Sequence, residues 1–92
     1  MIEFLMHDEQ DTVGVAVVDI NAGQPAAGRA LHGNAKAKVK ALMNIPLGHK
    51  IALCDFNPGD RVIKYGEDIG KIVMPVKKGE HVHVHNLKTK RW

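Results

Sequence analysis

Three histidines at alternate places, His81, His83 and His85, stand in the segment Gly79-Glu80-His81-Val82-His83-Val84-His85-Asn86. Successive side chains of an extended strand point to opposite faces, so this spacing sends the three imidazoles one way and Val82 and Val84 the other. Alternate residues on one face lie about 6.6 to 7 Å apart along the backbone, a gap that two flexible imidazoles can close on one metal ion. Imidazole suits zinc, iron, nickel or copper. The competing reading puts the valines in the core and leaves the histidines as solvated polar residues. A catalytic metal also wants a further ligand, such as a carboxylate; nothing nearby in the sequence identifies one, so the rest of the shell could come from another chain.

A second group is Gly48-His49-Lys50-Ile51-Ala52-Leu53, where a turn glycine delivers His49 and Lys50 to the start of an apolar run. A lysine there can pair with a carboxylate or sulfonate as a compact cation; the plainer alternative is a solvated strand end. The third group is Arg61-Val62-Ile63-Lys64-Tyr65-Gly66. Arg61 can hold an anion through two parallel hydrogen bonds, and Tyr65 is either a strand residue with a satisfied hydroxyl or a phenol placed near the histidines. His7 and His32 are isolated and read as surface or turn residues. Cys54, inside an apolar run, reads as a small core residue.

The elements that must position these groups are short. Apolar and polar residues alternate over brief stretches bounded by Gly, Pro and Asn, which predicts a mostly β fold. The expected strands are Ile2 to Met6, Val13 to Asp19, Ala35 to Leu42, His49 to Cys54, Arg61 to Tyr65, Ile69 to Met74 and His81 to Asn86. The stretch 35–41 mixes Ala with Lys36, Lys38 and Lys40. A helix would set Lys36 and Lys40 together as like charges, whereas a strand gives them one solvated face, so a strand is expected. Between the strands a corner recurs four times, as a turn-former, an apolar residue, two variable residues and Gly: 19–23, 44–48, 55–59 and 75–79. Glycine supplies a positive φ where the chain reverses, and Pro58-Gly59 suits the centre of a type II turn. Unequal spacing between the copies argues against a solenoid and for a compact, folded-over sheet within one domain spanning residues 1–92.

Composition narrows the role. Thirteen Lys and Arg against ten Asp and Glu leave a net charge of +3, a mild excess that suits an anionic ligand. Only Phe4, Phe56, Tyr65 and Trp92 are aromatic, too few for the base stacking that single-stranded nucleic acid asks for, so no nucleic-acid partner is expected. With Cys54 the only cysteine, neither an intramolecular disulfide nor a four-cysteine zinc site can form, and a reducing compartment fits. The first residues form neither a signal peptide nor a membrane span, so a cytoplasmic protein without a membrane partner is expected.

Taken together, Ile45-Pro46-x-Gly48-His49-Lys50-Ile51-Ala52-Leu53, Ile63-Lys64-Tyr65-Gly66-x-x-Ile69-Gly70 and the histidine segment 79–86 resemble the N-terminal SAF domain of the altronate and galactarate dehydratase family. The resemblance implies a β-clip fold. It also implies β-elimination from a 2-hydroxy acid such as altronate, galactarate or sulfolactate, with loss of water or sulfite. In that setting His83 and His85 become the catalytic candidates, and with His81 the metal ligands. The implied cofactor is a divalent metal, iron(II) first, with zinc or manganese as alternatives. Lys50, Arg61, His49 and Tyr65 would steer the substrate's acid group. A chain that stops at Trp92 resembles the separate small subunit of two-chain members, which implies a large catalytic lyase subunit carrying the general base and a small chain inactive alone. Two other readings follow from the same resemblance: a module that binds an anionic carbohydrate without turning it over, and a structural subunit. Exposed strand edges also allow a homo-oligomer.

Overall fold

The computed structural model describes residues 2–64, 67–83 and 85–89 and contains nine strands and no helix among them. They are β1 (Phe4–Met6), β2 (Val13–Ala16), β3 (Pro25–Ala30), β4 (Lys36–Lys40), β5 (Lys50–Ala52), β6 (Arg61–Lys64), β7 (Glu67–Ile72), β8 (His81–Val82) and β9 (Leu87–Thr89). A six-stranded sheet runs β4-β3-β1-β2-β5-β8, and a three-stranded sheet runs β6-β7-β9. This is the mostly β, β-clip type of architecture that the sequence led us to expect.

Two cores lie against these sheets. The first gathers Phe4, Met6, Ile20, Ile45 and Ile51, the second Val13, Phe56, Val62, Ile72, Val76, Val82 and Leu87. Strand alternation lets β5 serve both, with Ile51 in the first core and Ala52 in the second. The Phe4 ring fits because Gly14 and Gly28 have no side chain: a Cβ would fall 2.4 Å from Phe4 at Gly14 and 2.1 Å at Gly28.

Two strands escaped sequence reasoning. Pro25-Ala26-Ala27-Gly28-Arg29-Ala30 has none of the β-branched or aromatic residues that mark strands, yet β3 pairs in parallel with β1 and antiparallel with β4. Its strand character comes from its neighbours. The other correction falls on the histidine segment: the strand expected to run to Asn86 ends at Val82, and β9 begins at Leu87. Lys36, Lys38 and Lys40 do form a strand, with all three side chains exposed on β4 at the edge of the sheet, where charge discourages pairing with another chain.

The four corners associate in two pairs. The second residues of each pair form an isolated antiparallel bridge, Ile20 with Ile45 and Phe56 with Val76, with both hydrogen bonds made at 2.7 to 3.0 Å. Each fifth-place glycine has φ between 85° and 96°, and its N–H donates to the chain entering the partner corner: Gly23 to Ala41 O, Gly48 to Ala16 O, Gly59 to Ile72 O and Gly79 to Ala52 O. In the first pair the leading side chains reciprocate, Asp19 Oδ1 accepting from Leu47 N and Asn44 Oδ1 from Ala22 N, both at 2.8 Å. In the second pair Asp55 Oδ1 accepts from Lys78 N at 2.7 Å. The reciprocal bond would join positions 75 and 58, and both are proline. Pro75 brings no side-chain acceptor and Pro58 no N–H, so the two prolines cancel and no polar group is stranded.

Candidate functional site

The β5–β8 edge of the larger sheet carries the site. His49 is the last residue before β5, and β5 pairs with β8 so that Lys50 faces Val82 and Ile51 faces His81. Residues directly opposite in an antiparallel pair share a face. Lys50 therefore lies on the side of Val82, while His49 and His81 project together from the other. Beyond Val82 the chain leaves the strand, and Asn86, itself buried, holds the departure. Its Nδ2 donates to His81 O at 2.8 Å and its Oδ1 accepts from His83 N at 2.9 Å. His83 O then accepts from Asn86 N and Leu87 N, which turns the chain into β9.

This turn brings the histidine rings together. The His81 and His83 rings stack at 5.4 Å between centroids, and His85 is 5.3 Å from His81. His49 completes the group, with its ring 4.3 Å from His83 and 4.9 Å from His81 and its Nδ1 2.8 Å from His81 Nε2. Ligand nitrogens of His49, His81 and His83 all lie within 4.8 Å of one another. His85 is exposed and stands outside that set.

Burial first, and then the neighbouring His49, His85, His83 and Lys50, push the His81 pKa down to about 4. The same influences, burial leading and His49, Lys50 and His85 following, lower that of His83. Lys50 is lowered by burial and then by Lys64. Both histidine shifts favour the uncharged form of His81 and His83, whose lone pairs suit a metal ion, while the Lys50 ammonium adds positive charge that suits an anion. The shift also has a stability consequence. A histidine depressed to about 4 in the folded chain and near 6.5 when unfolded makes the unfolded state the better proton binder between those values, so stability rises with pH across that window. The contribution is complete above pH 6.5 and is lost as the pH falls through 4. Thermal melts should show a His81→Gln chain losing less stability than the parent between pH 7 and pH 4; equal losses would contradict the shift.

The other candidates are placed as follows. Arg61 is exposed and pairs with Asp68, Nε to Oδ2 3.6 Å, within the β6–β7 hairpin and not among the histidines. Tyr65 lies outside the described residues. His7 and His32 meet each other edge to face at 4.5 Å. The Cys54 thiol is pushed up by burial first and then by Asp55 and Asp60, and Cys54 packs against the second core, as its apolar run implied. Two participants were missed: Asn86, whose amide fixes the backbone on either side of Val82, and Lys64, which adds to the positive field at Lys50. The signal for Asn86 was its place directly after three alternating histidines, where a side chain able both to donate and to accept can bind the turn.

Comparison with known proteins places the chain in a family. Residues 2–90 match the family model described as the altronate/galactarate dehydratase SAF domain. The chain is 46% identical over 92 residues to the (2R)-sulfolactate sulfo-lyase subunit alpha of Chromohalobacter salexigens, covering 99% of this chain and 98% of that one. It is 54% identical over 59 residues to the subunit of the same name from Paracoccus pantotrophus, covering 64% of this chain and 88% of that one. With the altronate dehydratase of Bacillus subtilis the identity is 37% over 89 residues, which covers 97% of this chain but 17% of that enzyme.

Proposed function

The chain belongs to the altronate/galactarate dehydratase SAF-domain family, and from that premise we propose that it is the small subunit of a cytoplasmic lyase that eliminates sulfite from (2R)-sulfolactate. The observation that carries the proposal is the end-to-end match to a subunit named for that reaction, at nearly equal length. The match to only 17% of an altronate dehydratase supports a division of labour in which a large partner subunit brings the rest of the active site, including the general base. The elimination removes the α-proton of the 2-hydroxy acid and expels sulfite from the neighbouring carbon; the enol that remains relaxes to a 2-keto acid.

The imidazole cluster fits a divalent metal, iron(II) first and zinc or manganese as alternatives, because His81 and His83 offer neutral nitrogens within reach of one another. Such an ion supplies a Lewis acid where negative charge develops on the substrate. The protein's own groups do the rest. Lys50, half-buried on the opposite face of the same strand, adds a positive potential to the site that favours a doubly anionic substrate. Asn86 keeps His81 and His83 in register by tying their backbone groups together.

Co-expression of the chain with a large sulfo-lyase subunit tests the reading. Sulfite and a 2-keto acid should appear from (2R)-sulfolactate in equal amounts, and neither chain alone should release them. Turnover of altronate or galactarate with water as the leaving group would move the pair to the dehydratases. No association and no turnover of any of the three acids would end the enzyme reading in favour of a binding or structural module.

A further inference from the structure

Three of the four corners close alike and one does not. In the corners that begin at Asp19, Asp55 and Pro75, the residue after the glycine uses a side-chain oxygen to accept the backbone N–H three places earlier. The bonds are Asn21 N to Gln24 Oε1 at 3.0 Å, Asn57 N to Asp60 Oδ2 at 2.7 Å and Lys77 N to Glu80 Oε1 at 2.6 Å. In the corner that begins at Asn44 those two places hold Pro46 and His49. Proline has no N–H to satisfy, so the acceptor is dispensable, and the backbone bond from His49 N to Pro46 O at 2.9 Å keeps the turn closed. The side chain at position 49 is therefore free of the duty its counterparts perform. Its imidazole lies instead against β8 and the turn that follows, 2.8 Å from His81 Nε2 and stacked on His83 with 23° between the rings.

We infer that His49 is a ligand of a divalent transition-metal centre built from two separate segments, the 44–48 corner with His49 and the β8 turn with His81 and His83, with His85 outside the ligand set. The inference rests on the metal reading proposed above and deepens it. The alternating histidines alone would make the centre local to one strand. The ring positions make it a clasp between β5 and β8, and only His49, His81 and His83 among the described residues form a group of this kind. Two nitrogens on one tetrahedral ion, each bound at about 2.0 to 2.1 Å, stand about 3.3 Å apart. The His49–His81 pair thus has to open by only about half an ångström to admit an ion. The proton held between the two rings is exchanged through solvent for one on the donor ring's other nitrogen as the metal enters, so both ligands stay neutral imidazoles.

Cobalt(II) is the probe, titrated into the full chain and followed through its visible absorption. Three variants are compared with the parent: His49→Gln, His49→Gln combined with Pro46→Ala, and His85→Gln. The combined variant rebuilds the donor and acceptor of the other three corners, so its fold is protected, and circular dichroism checks this. The expected result is a loss of cobalt affinity of about 100-fold in both His49 variants and less than about threefold in His85→Gln. Parent-like affinity in the folded combined variant overturns the inference. If that result comes with loss of binding in His85→Gln, the metal stays in the proposed function and only its ligand set changes. A parent chain that binds no cobalt overturns both the inference and the metal half of that function.

Discussion

Replacing His83 by alanine is expected to lower sulfite release by the assembled pair at least about 100-fold while the two chains stay associated. His83 is one corner of a triangle of rings, 4.3 Å from His49 and 5.4 Å from His81, so its removal takes away one of the three nitrogens that can converge on an ion. The turn it occupies does not depend on its side chain. The bonds that shape that turn involve the His83 backbone N–H and C=O with Asn86 and Leu87, and an alanine keeps all of them. The ring belongs to neither core, so the cost to stability should stay within about 1 kcal/mol. Activity measured beside size-exclusion chromatography and a thermal melt separates the two effects. A His83→Ala pair that assembles and turns over near the parental rate would mean that His83 serves neither metal nor substrate, and would favour a structural role for this chain within the lyase. A variant that lost activity because the chains came apart would show in the elution profile.

The sequence was legible where chemistry is local and opaque where it is not. The corners could be read because glycine at a positive φ and a turn-former at a fixed offset are demands made by the backbone itself. What the corners do could not: nothing in Asp19-Ile20 says that it will bridge to Asn44-Ile45, because that pairing is fixed by the sheet between them. β3 shows the same limit. An Ala and Gly run becomes a strand because β1 and β4 offer hydrogen bonds on both sides and because Gly28 leaves room for Phe4. At the site, alternation correctly set His81 apart from Val82 but overran the strand. The buried amide of Asn86 ends the extended backbone at Val82, four residues before the expected strand end at Asn86.

His49 also shows why a site can hide in a regular motif. Taken by itself, Gly48-His49-Lys50 is a turn leading into a strand. Set beside the other corners, it is the one copy whose closing residue is neither an amide nor a carboxylate, with Pro46 in the place of the donor. The two departures are consistent with each other, since losing the N–H makes loss of the acceptor harmless. Pro58 and Pro75 show the same logic without any site attached. A cancelled hydrogen bond is therefore no sign of function by itself. It becomes one at His49 because the released side chain meets other groups able to do chemistry.

The largest effect on stability is expected at Gly79, the glycine of the last corner. Its N–H donates to Ala52 O and its C=O accepts from Leu42 N, both at 2.9 Å, so this one residue joins the end of β5 to the chain leaving β4. Its φ is 94°, and a Cβ there would lie 2.1 Å from the carbonyl oxygen of Lys40. That obstacle is backbone. Lys40 is held in register opposite Pro25 on β3, so relief would have to move a sheet edge and not a side chain. Gly79→Ala combines left-handed strain of about 1 to 2 kcal/mol with this clash, for a total of about 4 kcal/mol or more. In a domain of this size that is a fall in Tm of about 15 to 30 °C. Gly23→Ala is the matched control: φ is 85° and nothing lies within 4 Å of the added methyl, so it should cost only about 1 to 2 kcal/mol. Urea and thermal unfolding of both variants measure the difference. Equal losses would mean that the contact between Gly79 and Lys40 is not what closes the fold. A large excess at Gly79 would place the closure directly before Glu80-His81, so that the contact holding the edge of the sheet also fixes where the histidine segment begins.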